Sequence, residues 1–253
     1  MLLRLAGRLD PCFLVSLAVD PGAVEPLLPA GLELFTYRGS AFWNLVVCRV
    51  RRLRPLGAPD LFGLTYWHVA HRLHVCARAQ SGRRWEGLFF LRSDVDRRIL
   101  VGPGNRLTDF RFHRAAMHAE ESPGWFRLVI GENDDGLASG RIEIKRDGKT
   151  SAEAPRPFDS LEERERFLRY APLGLAVDQA ASVLRIAKVD RDERRWRESP
   201  MKVMRCDLRY LEDRLQGEGR LVRATEAAPI DYVWTLGQRE WLSFALPPKG
   251  EVS

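Results

Sequence analysis

The stretch from Tyr66 to His74 reads Tyr-Trp-His-Val-Ala-His-Arg-Leu-His, and its alternation constrains the fold more than any other feature of the chain. Successive side chains of a β-strand point to opposite faces. A strand here places Tyr66, His68, Ala70, Arg72 and His74 on one face. It places Trp67, Val69, His71, Leu73 and Val75 on the other. The second face is largely apolar and calls for a core. The first is dense in titratable groups, so it either meets water or lines an enclosed polar space.

The surrounding pattern is strand-rich. Cys12–Val19 reads as a buried strand, followed by a short helix over Pro21–Leu28 with Asp20 as N-cap and proline at the first helical position. Leu32–Tyr37 and Ser40–Val50 read as a hairpin around Arg38-Gly39. Leu64–Ala79 and Arg84–Asp94 read as two long strands joined near Ser81-Gly82. A two-residue turn there sets His74 opposite Phe89 and Arg72 opposite Leu91, whereas a longer loop brings Asp94 nearer the polar row. The pattern leaves that choice open, and a one-residue slip exchanges the faces. Gly102-Pro103-Gly104-Asn105 reads as a turn, and Arg111–Glu120 is ambiguous, with a short helix around Ala115-Ala116-Met117 as one option.

Phe126–Gly131 and Gly140–Arg146 form a further hairpin, and Asp147-Gly148 another turn. The clearest helix is Leu161–Tyr170, where Ser160 and Glu163 make a capping box. Ser182–Val189 and Ile230–Thr235 are strands, and Met201–Leu215 fits either type. The expected architecture is a strand-dominated α+β fold. A curved antiparallel sheet closes into a barrel-like single domain over residues 1–253, with a few peripheral helices. At 253 residues and 45% hydrophobic, the chain has ample material for such a core.

The formal charge of +6 permits anionic partners without demanding them. Of the 40 lysines and arginines only five are lysines, the first at Lys145. Cys12, Cys48, Cys76 and Cys206 form no Cys-x-x-Cys and read as reduced thiols. Arg4, Arg8 and Asp10 interrupt the apolar residues of the N-terminal stretch, so no signal peptide is read there. No run approaches the ~18 apolar residues of a membrane span. These features predict a cytoplasmic protein with no membrane partner.

The run Val19-Asp20-Pro21 through Leu27-Leu28-Pro29-Ala30-Gly31-Leu32, then Gly39-Ser40-Ala41-Phe42, resembles the opening of the YqjF-like family of uncharacterised bacterial proteins. His68–Val75 corresponds to that family's Glu-x-Asn-Val-Arg-Thr-Tyr-Val strand. Gly87-Leu88-Phe89-Phe90-Leu91-Arg92-Ser93-Asp94 is similar to its Gly-x-x-Phe-x-x-x-Asp strand, and Pro229–Trp234 to its Pro-x-x-x-Tyr strand. The resemblance implies an acetoacetate decarboxylase-like fold, a curved sheet around an internal cavity. In the family pattern Glu, Asn, Arg and Tyr recur at every second position, and here only Arg72 is kept. His68, Ala70 and His74 stand in the other three places. The decarboxylase relative forms a Schiff base through a lysine in a Gly-x-Pro-Lys-Lys turn. The comparable Gly102-Pro103-Gly104-Asn105-Arg106 has none, and arginine cannot replace a deprotonated lysine.

The reading that follows is a small, carboxylate-like ligand in an internal cavity. Arg72 anchors the anion and Arg106 serves as a second, weaker substrate-binding candidate. His68 and His74 are the candidate catalytic groups, moving protons near neutral pH. No cofactor is expected. A metal is not expected either: His68 and His74 lie about 20 Å apart at ~3.3 Å per strand residue, and His71 faces away. The plainer reading of the row is a solvated strand surface, or core histidines satisfied by backbone partners; the second functional reading is a non-catalytic module that keeps the fold and uses its surface for ligand sensing or protein association. A third reading, nucleic-acid binding through Arg49–Arg54 and Arg191–Arg197, is disfavoured because Asp190, Asp192, Glu193 and Glu198 dilute the second cluster. Self-association of like subunits is left open.

Overall fold

The computed structural model describes residues 2–133, 135–146, 155–169 and 172–243. In chain order the strands are β1 (Leu3–Val19), β2 (Glu33–Leu34), β3 (Ala41–Pro55), β4 (Leu64–Arg78), β5 (Arg84–Val95) and β6 (Phe112–Arg114). They continue with β7 (Met117–Ser122), β8 (Trp125–Ile130), β9 (Gly140–Lys145), β10 (Leu173–Asp178) and β11 (Val183–Arg191). The last four are β12 (Glu198–Pro200), β13 (Lys202–Leu208), β14 (Arg220–Ala227) and β15 (Ile230–Trp241). The helices are α1 (Pro21–Val24), α2 (Val101–Leu107), α3 (Leu161–Phe167) and α4 (Arg209–Leu215).

Seven strands close on themselves in the order β1-β3-β4-β5-β10-β11-β15 and back to β1. All neighbours are antiparallel except β5 and β10, which meet in parallel at Leu88 and Gly174. At this seam Gly87 is required: a Cβ there would lie 2.8 Å from the Leu173 carbonyl oxygen. β14 and β12 extend the sheet beyond β1. A second sheet, β13-β9-β8-β7, packs Phe126, Leu128, Ile142 and Ile144 onto the outer face of the barrel. Phe126 meets Phe13 at 4.5 Å and Trp67 at 5.5 Å between ring centroids.

Two cores result from the alternation along each strand. The outer one holds Phe13, Trp43, Trp67, Val69, Leu73, Phe89 and Leu91 against the second sheet. The inner one holds Cys12, Leu14, Val46, Cys48, Tyr66, Ala70, Phe90, Phe112, Tyr232 and Leu236. α3 covers one end of the barrel, where Phe158, Phe167 and Leu168 pack on Ala18 and Phe42. Its start makes half of the expected capping box: Ser160 accepts from the Glu163 amide at 3.1 Å, while the Glu163 carboxylate accepts from the Asp159 amide, one residue before the cap, at 2.9 Å.

Several local expectations are corrected. Gly102–Asn105 is not a turn but part of α2. Pro103 sits in the first turn, where its missing N–H costs nothing, and Gly104 leaves room for Phe112. Leu32–Tyr37 contributes only β2, and β2 pairs with β4 rather than with β3. The Arg38-Gly39 turn does form, with both φ positive (47° and 75°) and a Tyr37–Ser40 bridge. The ambiguous Arg111–Glu120 segment is β6 and most of β7, not a helix. Met201–Leu215 is both types in succession, β13 then α4. α3 ends at Phe167, and Asp147-Gly148 lies outside the described residues.

The register between β4 and β5 follows neither simple option. His74 is opposite Leu88 and Arg72 opposite Phe90, and a bulge at Leu91 then sets His71 opposite Arg92. The extra residue turns Leu91 and Arg92 both outward. Asp94 is opposite Val69 and so lies on the outer face, away from the polar row.

Candidate functional site

β4 presents its polar row to the barrel interior. Asn44, Val46, Cys48 and Val50 of β3 are directly opposite Arg72, Ala70, His68 and Tyr66, and all share the inner face. A cavity of about 40 Å³ lies within the barrel, lined by residues of β1, β3, β4, β5, β11 and β15. Tyr66, His68, Arg72, Cys12 and Cys48 all line it. Arg72 is only 4% exposed, with its guanidinium over the Phe90 ring at 5.7 Å. His68 has its Nε2 buried without a protein hydrogen bond. Its ring packs on Phe112 at 5.7 Å.

The two thiols differ. Cys12 is pushed well up by its hydrogen bond to Cys48 and by burial. The hydrogen bond from Cys12 holds Cys48 below the usual thiol range against desolvation, with help from His68 and the charge of Arg72.

His74 is on the same face but serves another part of the interior. Its Nε2 lies 3.2 Å from the Glu86 carboxylate, and its ring contacts Phe35 at 4.7 Å and Phe167 at 5.8 Å. His74, at that distance, lowers the pKa of Glu86. With Arg72, Ser16, Asn44 and Arg223, His74 lines a second space of about 20 Å³ under the α3 end. Arg223 is engaged there by Glu165 at 2.6 Å and Glu198 at 2.9 Å. Arg72 thus stands between two small spaces, one containing His68 and the other His74.

Arg106 joins neither space. It is exposed on α2 and lines a separate compartment of about 230 Å³ with Asp109, Arg185, Gln238 and Arg239. Arg185 pairs with Asp109 at 3.2 Å. Phe90 and Phe110, 4.5 Å apart between centroids, form a wall common to this compartment and the His68 cavity. Among the described residues no lysine lines any of these spaces.

A polar cluster that the sequence reading did not assemble lies on the outer face. Arg92 donates through Nε to both Asp94 oxygens at 2.9 Å and through its terminal nitrogens to Asp135 at 2.6 and 3.1 Å. His113 Nδ1 is 3.2 Å from Asp135. Burial pushes the Asp94 carboxyl up despite Arg92. Asp135 is less enclosed; against some desolvation, the Arg92 hydrogen bonds bring it down to about 2. The bulge at Leu91 creates this cluster, and no local sequence signal announces a bulge.

The basic runs are compensated locally. Arg51 pairs with Asp10 at 3.2 Å, Arg52 and Arg54 both pair with Asp60, and Arg191 and Arg194 pair with Glu193 and Asp192 at 2.8 and 3.1 Å. Among the described residues no helix is long and apolar enough to cross a membrane.

Residues 8–218 match the family DUF2071, described as "Uncharacterized conserved protein (COG2071)". No curated protein matches the chain. Among solved structures it is similar to the enduracididine biosynthesis enzyme MppR complexed with pyruvate, at 15% identity and TM-score 0.55 over 96% of this chain and 91% of that one. It is also similar to an acetoacetate decarboxylase-like enzyme from Sphingomonas wittichii RW1, at 14% identity and TM-score 0.56 over 95% and 92%. A third is an acetoacetate decarboxylase from Legionella pneumophila, at 14% identity and TM-score 0.55 over 97% and 88%. At these identities the likeness is one of fold.

Proposed function

Because this chain belongs to the DUF2071 family of uncharacterised conserved proteins and has the acetoacetate decarboxylase-like fold, we propose that it binds a small carboxylate-bearing organic molecule inside its barrel. The observation that carries this reading is the Arg72 guanidinium, 4% exposed and facing the interior of a closed barrel. The planar fork of a guanidinium matches the two oxygens of a carboxylate. The solved MppR complex holds pyruvate in the same fold, which favours a ligand of that class.

The small interior limits the ligand. A space of about 40 Å³, walled off from the larger compartment by Phe90 and Phe110, favours a short ligand. His68, beside Arg72 in the same cavity, is the group positioned to move a proton or hydrogen-bond the ligand. His74 is tied to Glu86 and acts from the α3 end, shaping the other side of Arg72. Arg106 acts at most at the mouth of the outer compartment. Any chemistry proceeds without a lysine Schiff base.

The test is thermal unfolding with acetate, glyoxylate, pyruvate and acetoacetate. A ligand at one hundred times its Kd adds about 2.7 kcal/mol, roughly 5–10 °C in Tm for a domain of this size. Arg72→Gln removes a charge-assisted hydrogen bond of about 1.5–3 kcal/mol and with it most of the shift. If no small carboxylate raises Tm, or if Arg72→Gln keeps the full shift, the reading is wrong. Loss of ligand signal over time by NMR separates a catalyst from a binding or sensing module.

A further inference from the structure

Cys12 and Cys48 line the same cavity as His68 and Arg72. Cys12 is directly opposite Cys48 across β1 and β3, and Cys48 is directly opposite His68 across β3 and β4. The three side chains form a row over three adjacent strands on the inner face. Both thiols are buried, and the His68 Nε2 has no protein partner. A thiol directly opposite a second thiol, beside an imidazole and lining one cavity with a guanidinium, is in the setting that makes cysteine a nucleophile.

We propose that Cys48 is a nucleophilic thiol that adds reversibly to the aldehyde carbon of a two-carbon, carboxylate-bearing aldehyde held by Arg72. This rests on the interior being a carboxylate site. Size selects the ligand class: a cavity of about 40 Å³ walled by Phe90 and Phe110 favours two carbons over a longer chain. In the addition, the Cys48 proton passes to His68 as sulfur forms the C–S bond. The carbonyl π pair moves to oxygen, and that oxygen takes the proton back from His68. The product is a thiohemiacetal; nothing is oxidised or reduced and no group leaves. Cys12 keeps its proton throughout and donates it as a hydrogen bond to the Cys48 sulfur before attack.

Iodoacetate and iodoacetamide are two-carbon electrophiles of similar size that differ in charge, and glyoxylate is the matching aldehyde acid. Peptide-resolved mass spectrometry of the native protein follows each cysteine with either reagent. Cys48 is expected to react faster with iodoacetate by about tenfold or more, the factor one charge-assisted hydrogen bond supplies. Glyoxylate slows that reaction, Arg72→Gln removes the charge preference, and His68→Gln moves the pH profile of alkylation upward. Phe110→Leu, which thins the wall, accelerates it. Cys206, held by burial at about 12, is the internal reference. If Cys48 stays unmodified in both the wild type and Phe110→Leu while carboxylates still raise Tm, the nucleophile is overturned and the carboxylate site stands. If Cys48 reacts equally with both reagents and carboxylates leave Tm unchanged, the Arg72-held ligand falls, and the proposal with it.

Discussion

His71 offers a test of the outer core that does not depend on any ligand. It faces away from the cavity, is 2% exposed, and lies against Trp43 and Tyr210 with centroid separations of 5.7 and 5.0 Å. Trp43 Nε1 donates to its Nδ1 at 3.3 Å, a bond that only the neutral ring accepts. Desolvation, and then the charge of Arg92, lower its pKa from 6.5 to about 3. The unfolded chain takes up this proton near pH 6.5, whereas the folded chain does so only near 3. Between those values the unfolded state binds more protons, so stability present above pH 6.5 is lost as pH falls.

From pH 7.5 to pH 5 the loss attributable to His71 is about 2 kcal/mol, or roughly 4–8 °C in Tm. His71→Gln does not titrate and keeps an acceptor for Trp43. Urea unfolding followed by tryptophan fluorescence at the two pH values gives the pH increment of each protein, and the variant's increment should be smaller by that amount. Equal increments would mean that the native protein admits the proton, and the account of this buried imidazole would be wrong.

Other substitutions probe what positions the site. Gly87→Ala places a Cβ 2.8 Å from the Leu173 carbonyl at the parallel seam and should cost about 1–3 kcal/mol, read as a lower urea midpoint. Ser160→Ala removes the cap of α3 and should cost about 1 kcal/mol, with Tm as the readout. Arg106→Ala should leave any carboxylate-induced rise in Tm as it is in the wild type, because Arg106 is exposed on α2 and lines neither interior space. A lost shift would bring Arg106 into the site.

Much of the barrel was legible in the sequence because strand alternation is a property of neighbouring residues. The two faces of Tyr66–His74 are as the period of two requires, and the Ser160–Glu163 cap needs only four residues of chain. The family-like strand from Gly87 to Asp94 could be aligned, but its physical roles could not be read. Gly87 admits β10 to close the barrel, Phe90 walls the cavity, and Asp94 turns outward to hold Arg92. Gly102–Asn105 looked like a turn because glycine and proline are local signals, and packing on Phe112 overrode them.

Alternation along β4 alone put His68, Arg72 and His74 on one face. Closure of seven strands decided that this face looks inward, and strand register decided its companions: Cys12 and Cys48 beside His68, Arg223 across from Arg72, Arg106 elsewhere. Those companions come from positions far apart in the chain. Pairing across strands depends on bulges and on where the sheet meets itself, and neither leaves a mark in the local period of side chains.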